Sequence, residues 1–225
     1  MLTFIIPLKS TEYVANTIKF QKILASTLTH CNRVLNSKVL IVCDADKYSW
    51  PKANFTTLYV LPSGFTYGDY DKEYKLFAGC QYWLEKASRD DRVMFLDFDD
   101  LVHPLIEEAS KPHLVDSSTV FINGWQQVFN RLYPIPDFNQ RCGSSHIFSK
   151  SFIEISMPKY QQGSSWLFHR RHNYEKSFES CNQRSVVQRC WHGENIFFKR
   201  MSIRDCLKYP FSFDPSKLGF DLSLS

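Results

Sequence analysis

Four runs in this chain are apolar almost without interruption, and stretches of helical periodicity fall between them. They are "LTFIIPL", "KVLIVCDAD", "FTTLYVLPS" and "RVMFLDFDD". A strand with one wet face alternates apolar and polar residues, so a run that is apolar throughout must be covered on both faces. Helices between such strands supply the cover and make the strands parallel. The periodicity predicts a helix from about Glu12 to His30, with Val14, Ile18, Ile23, Leu24 and Leu28 inward. It predicts a second in "DYDKEYKLFAGCQYWLEKA", with Tyr74, Phe77, Cys80, Tyr82 and Leu84 inward. "HPLIEEAS" opens a short third helix, with Pro near its start.

The second half is less regular. "STVFINGWQQVF" reads as a strand, and "SSHIFSKSFIEI" as a strand turning into a helix at Ser149 to Ile155. "WLFHRRHNYEKSFESCN" reads as helical, "CWHGENIFFKRM" as a tight Gly turn opening a helix, and the tail from Tyr209 as extended. At 225 residues this is one domain of generous size. Residues 1–105 form its first half and 106–225 its second.

Acid and base are mixed along the chain and the net charge is only +4, with no Lys/Arg run longer than "HRRH" at His169 to His172. Nucleic acid is therefore not an expected partner. The seven cysteines show no C-x-x-C pair and no zinc spacing. They read as reduced thiols in a cytoplasmic protein. No stretch has the length of a membrane span. The 19 Phe and 11 Tyr suit a well-filled core, and aromatic faces also stack on sugar rings.

In sheets of this kind ligands bind beyond the carboxyl ends of the strands. Pro7 to Ser10, Asp44 and Asp46, Ser63, and Asp97 to Asp100 fall there. Asp97 and Asp99 make a D-x-D, and alternation along an extended strand turns them the same way. Two such carboxylates suit Mg²⁺ or Mn²⁺, whose remaining positions take phosphate oxygens and water. The alternative is that the acids cap the helix that follows, a role that fits Asp100 best. Asp44 and Asp46 either bind a ribose or base or serve their own turn. Lys75 either reaches a diphosphate or lies on a solvated helix face. In "WHGEN", Gly193 permits a tight turn and puts Glu194 near a helix start. His192 there is a candidate late metal ligand, or the cluster is a plain cap.

Taken together these residues resemble the GT-A glycosyltransferases, family 2-like. The resemblance rests on "TFIIPLKS", "VLIVCDAD" and "FLDFDDLVHP" across residues 1 to about 105, and on "WHGENIFFKR". The last is similar to the W-G-G-E-[ND] motif of galactosyl- and N-acetylgalactosaminyltransferases, with His192 in place of a Gly. The resemblance implies a Rossmann-like, mixed, mostly parallel sheet flanked by helices in a single domain. It implies Mn²⁺ or Mg²⁺ held by Asp97 and Asp99, with Asp97 also touching the nucleotide. It implies a UDP-sugar donor held by Pro7, Leu8, Asp44, Asp46 and Lys75, and a hydroxyl on a glycan or glycolipid as acceptor. Inverting members use the Asp of an E-D pair as base. Here Asn195 follows Glu194, so Glu194 is the base, or the base lies elsewhere, or the reaction is retaining.

Three other classes compete. A haloacid-dehalogenase-type phosphatase also carries D-x-D after an apolar strand, but near the chain start and followed by Thr or Val. A nucleotidyltransferase wants a Gly-rich loop after the first strand, and "PLKSTEY" has no Gly. A non-catalytic sugar-binding domain has no need of an intact acid pair.

Overall fold

The computed structural model describes residues 1–10, 14, 16–44, 55–61, 68–112, 116–128, 130–140, 142–157, 178–189 and 212–220. In chain order these form β1 (Leu2–Pro7), α1 (Thr17–Asn32), β2 (Ser37–Cys43), β3 (Phe55–Tyr59), α2 (Gly68–Leu84) and β4 (Arg92–Phe95). Then come β5 (Leu101–Val102), α3 (Ile106–Ala109), β6 (Thr119–Phe121), β7 (Asn123–Val128) and β8 (Arg131–Pro136). β9 (His146–Ser149), α4 (Lys150–Ser156), β10 (Glu179–Cys181) and β11 (Val186–Arg189) follow.

A seven-stranded sheet has the order β10-β6-β9-β4-β1-β2-β3. β1 lies between β4 and β2, parallel to both, and β3 is parallel to β2. β9 is antiparallel to β4 and to β6. The sheet is thus mixed and mostly parallel, flanked by helices. Its central strands β1, β2, β4 and β9 bury both faces, whereas the edge strand β3, expected to be covered on both, is only half-buried. Phe4, Ile6, Ile41 and Cys43 pack with Phe20, Ile23 and Leu24 of α1. Their neighbours Ile5, Leu40 and Val42 pack with Leu76, Cys80 and Trp83 of α2. Period-two alternation therefore divides each strand between two helical layers.

The helices differ in detail from the periodicity. α1 begins at Thr17, where the Asn16 side chain accepts a hydrogen bond from the Lys19 amide, 3.0 Å. Ile18 precedes the buried stripe and is 69% exposed. α2 lies hard against the sheet because of Gly79. A Cβ there would sit 2.9 Å from Ile5 Cγ2 and 3.0 Å from Val42 Cγ2. A helical glycine costs about 1 kcal/mol relative to alanine. Here it admits the close approach that carries Asp71 and Lys75, two turns and one turn earlier, to the rim of the sheet.

A second sheet, ordered β5-β11-β7-β8, sits beside the first. "STVFINGWQQVF" is therefore two strands, one in each sheet. Glu179–Cys181, predicted helical, is a strand parallel to β6. Its Glu179 amide donates to the Ser118 carbonyl at 2.8 Å. Local periodicity does not register a pairing partner 60 residues upstream. The five described cysteines, Cys31, Cys43, Cys80, Cys142 and Cys181, are buried. Among the described residues no helix is long and apolar enough to cross a membrane.

Candidate functional site

The carboxyl ends of β1, β2 and β4 meet where the strand order turns from β2 on one side of β1 to β4 on the other. Open α/β sheets leave a crevice at such a switch point. After Pro7 the chain stays on the sheet for one more residue, the Leu8 amide donating to the Val42 carbonyl at 2.9 Å. Leu8's side chain is buried, and its carbonyl faces the Lys75 ammonium at 2.8 Å.

Lys75 is wholly buried. It donates to Asp71 at 2.7 Å, and lies 3.4 Å from Ser10 Oγ and 3.4 Å from Asp44 Oδ2. A buried ammonium is tolerated only when its charge and donors are met this completely. Lys75 thus ties α2 to the ends of β1 and β2 and fixes Asp44. Asp44's side chain is 6% exposed. Its Oδ2 also accepts a close hydrogen bond from Ser10. Its Oδ1 is buried with no hydrogen-bond partner among the described residues.

The D-x-D lies on a turn and not on an extended strand. β4 ends at Phe95, the Leu96 amide still donates to Ile5, and the Asp100 amide then closes on the Asp97 carbonyl at 3.1 Å. The diversion comes from Phe98, whose ring stacks on Phe20 with centroids 4.5 Å apart. The three acids consequently meet different surroundings. Asp97's side chain is 35% exposed and forms a close ion pair with Lys72. Asp99 and Asp100 are buried, 3% and 2% exposed. Burial, then the charges of Asp99 and Asp97, push the Asp100 carboxyl well above its ordinary pKa. Ser144 and Cys142 oppose this by hydrogen bonding. Burial works against the Lys72 charge, but Asp97, Asp100 and Glu73 outweigh it and raise its pKa.

Arg189, at the end of β11, braces the turn from beneath. Its Nε donates to the Asp99 carbonyl, and its terminal nitrogens reach the Ile23 carbonyl at 3.0 Å, Thr27 Oγ1 at 3.0 Å and Ser26 Oγ at 3.2 Å. Thr27 in turn donates to the Phe98 carbonyl at 2.8 Å. Burial lowers the guanidinium pKa to about 10, opposed by Asp99 and Asp100. It remains charged at neutral pH. Lys9 stands over the Phe20 and Phe98 rings, 5.6 and 5.9 Å from their centroids.

Of the residues expected from sequence, Pro7, Leu8, Asp44, Lys75, Asp97 and Asp99 converge on this rim. Asp46, His192 and Glu194 lie outside the described residues. Lys72, Lys9 and Arg189 carry more of the site than the sequence reading gave them. The signals were there: Lys72 is one helical turn before Lys75, and Arg189 is a charge ending a short strand two residues before the "WHGEN" motif. The described residues do not by themselves make a divalent-ion site. Lys72 already holds Asp97, Asp99 is buried, and no group of three His, Cys, Asp or Glu side chains among the described residues could hold a metal.

No protein-family model matches the chain, and no curated protein is detectably similar in sequence. Its fold does match solved structures. The crystal structure of Staphylococcus aureus TarS residues 1–349 overlays with a TM-score of 0.53 at 10% identity, over 84% of this chain and 60% of that one. This chain thus spans less than two thirds of that fragment. Looser overlays include IspD, the 2-C-methyl-D-erythritol 4-phosphate cytidylyltransferase of Francisella tularensis, at TM-score 0.46 and 11% identity, over 93% of this chain and 98% of that one. Another is a glycosyltransferase involved in glycosylation of the major capsid of PBCV-1, at 0.46 and 12%, over 83% and 92%. Identities this low speak to fold alone, and that fold is GT-A-like.

Proposed function

We propose that this chain transfers a hexose from a nucleotide diphosphate sugar, foremost a UDP-sugar, to a hydroxyl of a glycan or glycolipid in the cytoplasm. One observation carries the reading: Asp44 Oδ1 is buried without a hydrogen-bond donor among the described residues, at the switch-point rim. A buried acceptor left unmet costs about 1–3 kcal/mol, more when charged. A base N–H or a ribose hydroxyl supplies the missing donor. From there the diphosphate runs toward the amino-terminal end of α2, whose dipole favours anions. Lys72 and Lys9 stand on that path.

The reaction needs a group to receive the acceptor's proton, and Glu194 is the proposed one. The Arg189 amide is 3.4 Å from Asp100 Oδ1. Glu194 follows five residues later, and five residues reach at most roughly 18 Å. The acceptor oxygen attacks the anomeric carbon, the bond from that carbon to the β-phosphate oxygen breaks, the acceptor proton passes to Glu194, and the nucleoside diphosphate leaves. Mn²⁺ or Mg²⁺ at Asp97, Asp99 and His192 remains the competing account of how the diphosphate charge is met.

Titration calorimetry with UDP tests the reading. Asp44→Ala is expected to weaken UDP binding roughly tenfold or more, the loss of one strong charge-assisted contact. Equal binding by wild type and Asp44→Ala would remove the observation on which the reading stands. Nucleotidyl transfer is the second reading such a rim would suit, and there the released product is pyrophosphate.

A further inference from the structure

Resting on the reading above, we propose that Lys72 is the cation that receives the donor's diphosphate, in place of a divalent metal ion. The acidic turn has a cation beside it already. The Lys72 ammonium is paired with Asp97, and both side chains stay in reach of solvent, 28% and 35% exposed. The other two acids of the turn are not open to a hydrated ion, being 3% and 2% exposed. A magnesium or manganese ion keeps near-octahedral geometry and several waters, and needs an accessible carboxylate oxygen to dock on. At Asp97 it would first have to displace an ammonium.

The arrangement around Lys72 suits a phosphate. It lies in the second turn of a 17-residue helix, near the end where the dipole is positive. One turn on, buried Lys75 reaches Asp44, whose Oδ1, without a hydrogen-bond partner among the described residues, marks the nucleoside end of the crevice. Lys9 also reaches the turn, standing over the ring of Phe98, which lies between Asp97 and Asp99 in sequence. Asp97 then acts as a positioning residue: it holds Lys72 in one orientation until the diphosphate arrives, and the ammonium donates to both.

The two accounts predict opposite responses to chelation and to two substitutions. UDP affinity is measured by calorimetry on the full chain, in EDTA and in Mn²⁺, for wild type, Lys72→Met, Lys72→Arg and Asp97→Asn, with thermal melts to confirm folding. We expect wild-type affinity to change less than about twofold between EDTA and Mn²⁺. Lys72→Met should lose roughly tenfold to a hundredfold, and Lys72→Arg should retain most binding, as losing and keeping one charged contact require. Asp97→Asn should still bind UDP, because it leaves Lys72 free. The inference is overturned, with the nucleotide-sugar reading intact, if EDTA abolishes wild-type binding, Mn²⁺ restores it, and Asp97→Asn abolishes it while Lys72→Met does not. Failure to bind UDP, ADP or GDP under either condition overturns both.

Discussion

The guanidinium of Arg189 donates to the backbone carbonyl of Asp99, 90 residues earlier in the chain, and through its other nitrogens to helix α1. One side chain thus joins the acidic turn, the last described strand before the "WHGEN" motif, and the first helix. Arg189→Met is expected to cost on the order of 3–5 kcal/mol, the range for breaking a buried charged network from one side. Arg189→Lys should recover little, since one ammonium does not reproduce a planar fork of donors. Urea denaturation of the three proteins checks both statements.

Lys75 makes a separable prediction. Lys75→Met leaves Asp71 and Asp44 buried without their shared cation and should lower stability by about 3–5 kcal/mol. For a chain this size that is roughly 2–4 °C of melting temperature per kcal/mol. Asp71→Asn added to Lys75→Met should restore part of the loss. A double-mutant cycle on melting temperatures measures the coupling, and strict additivity would mean the pair does not interact.

Acid should loosen the C-terminal segment. Gly219, at φ 79°, lets that segment pass so close to His103 that a Cβ would come 2.7 Å from its Nε2. The Phe220 ring packs edge-on to His103, centroids 5.5 Å apart. Burial lowers the His103 pKa below its ordinary 6.5, and a hydrogen bond to the Leu218 carbonyl opposes it. The fold therefore holds the neutral imidazole, while the unfolded chain takes up a proton as pH falls through 6.5. The stability this contributes is present above pH 6.5 and is lost as pH falls through the folded-state value. Melting temperature should drop between pH 7.5 and 5, and His103→Gln should flatten that part of the curve. An unchanged slope in the variant would put the titrating group elsewhere.

The first half of this fold was legible because its signals are local. Continuous apolar strands separated by helical stretches dictate a covered, mostly parallel sheet, and the polar strand ends then fall on one rim. The positions of Pro7, Leu8 and Asp44 at the ends of β1 and β2 follow from that alone. What escaped depends on partners distant in sequence. The D-x-D leaves the strand because Phe98 finds Phe20, and β10 forms because Ser118 offers it an edge. Lys75 lies on the inward face of α2 because Gly79 draws that helix down. Spacing puts Lys72 and Lys75 one turn apart, but not which of them stays open to a ligand.

The chemistry at this rim is revealed most directly by its products. Wild-type chain is incubated with UDP-glucose, UDP-galactose and their N-acetyl forms, with water or an added glycan as acceptor, and the products are read by mass spectrometry. UDP together with a free or transferred hexose is expected from at least one donor, with slower turnover in Glu194→Gln. Intact sugar nucleotides would contradict this if a nucleoside triphosphate and a sugar phosphate released pyrophosphate instead. So would hydrolysis of an aryl phosphate that Asp97→Asn abolishes.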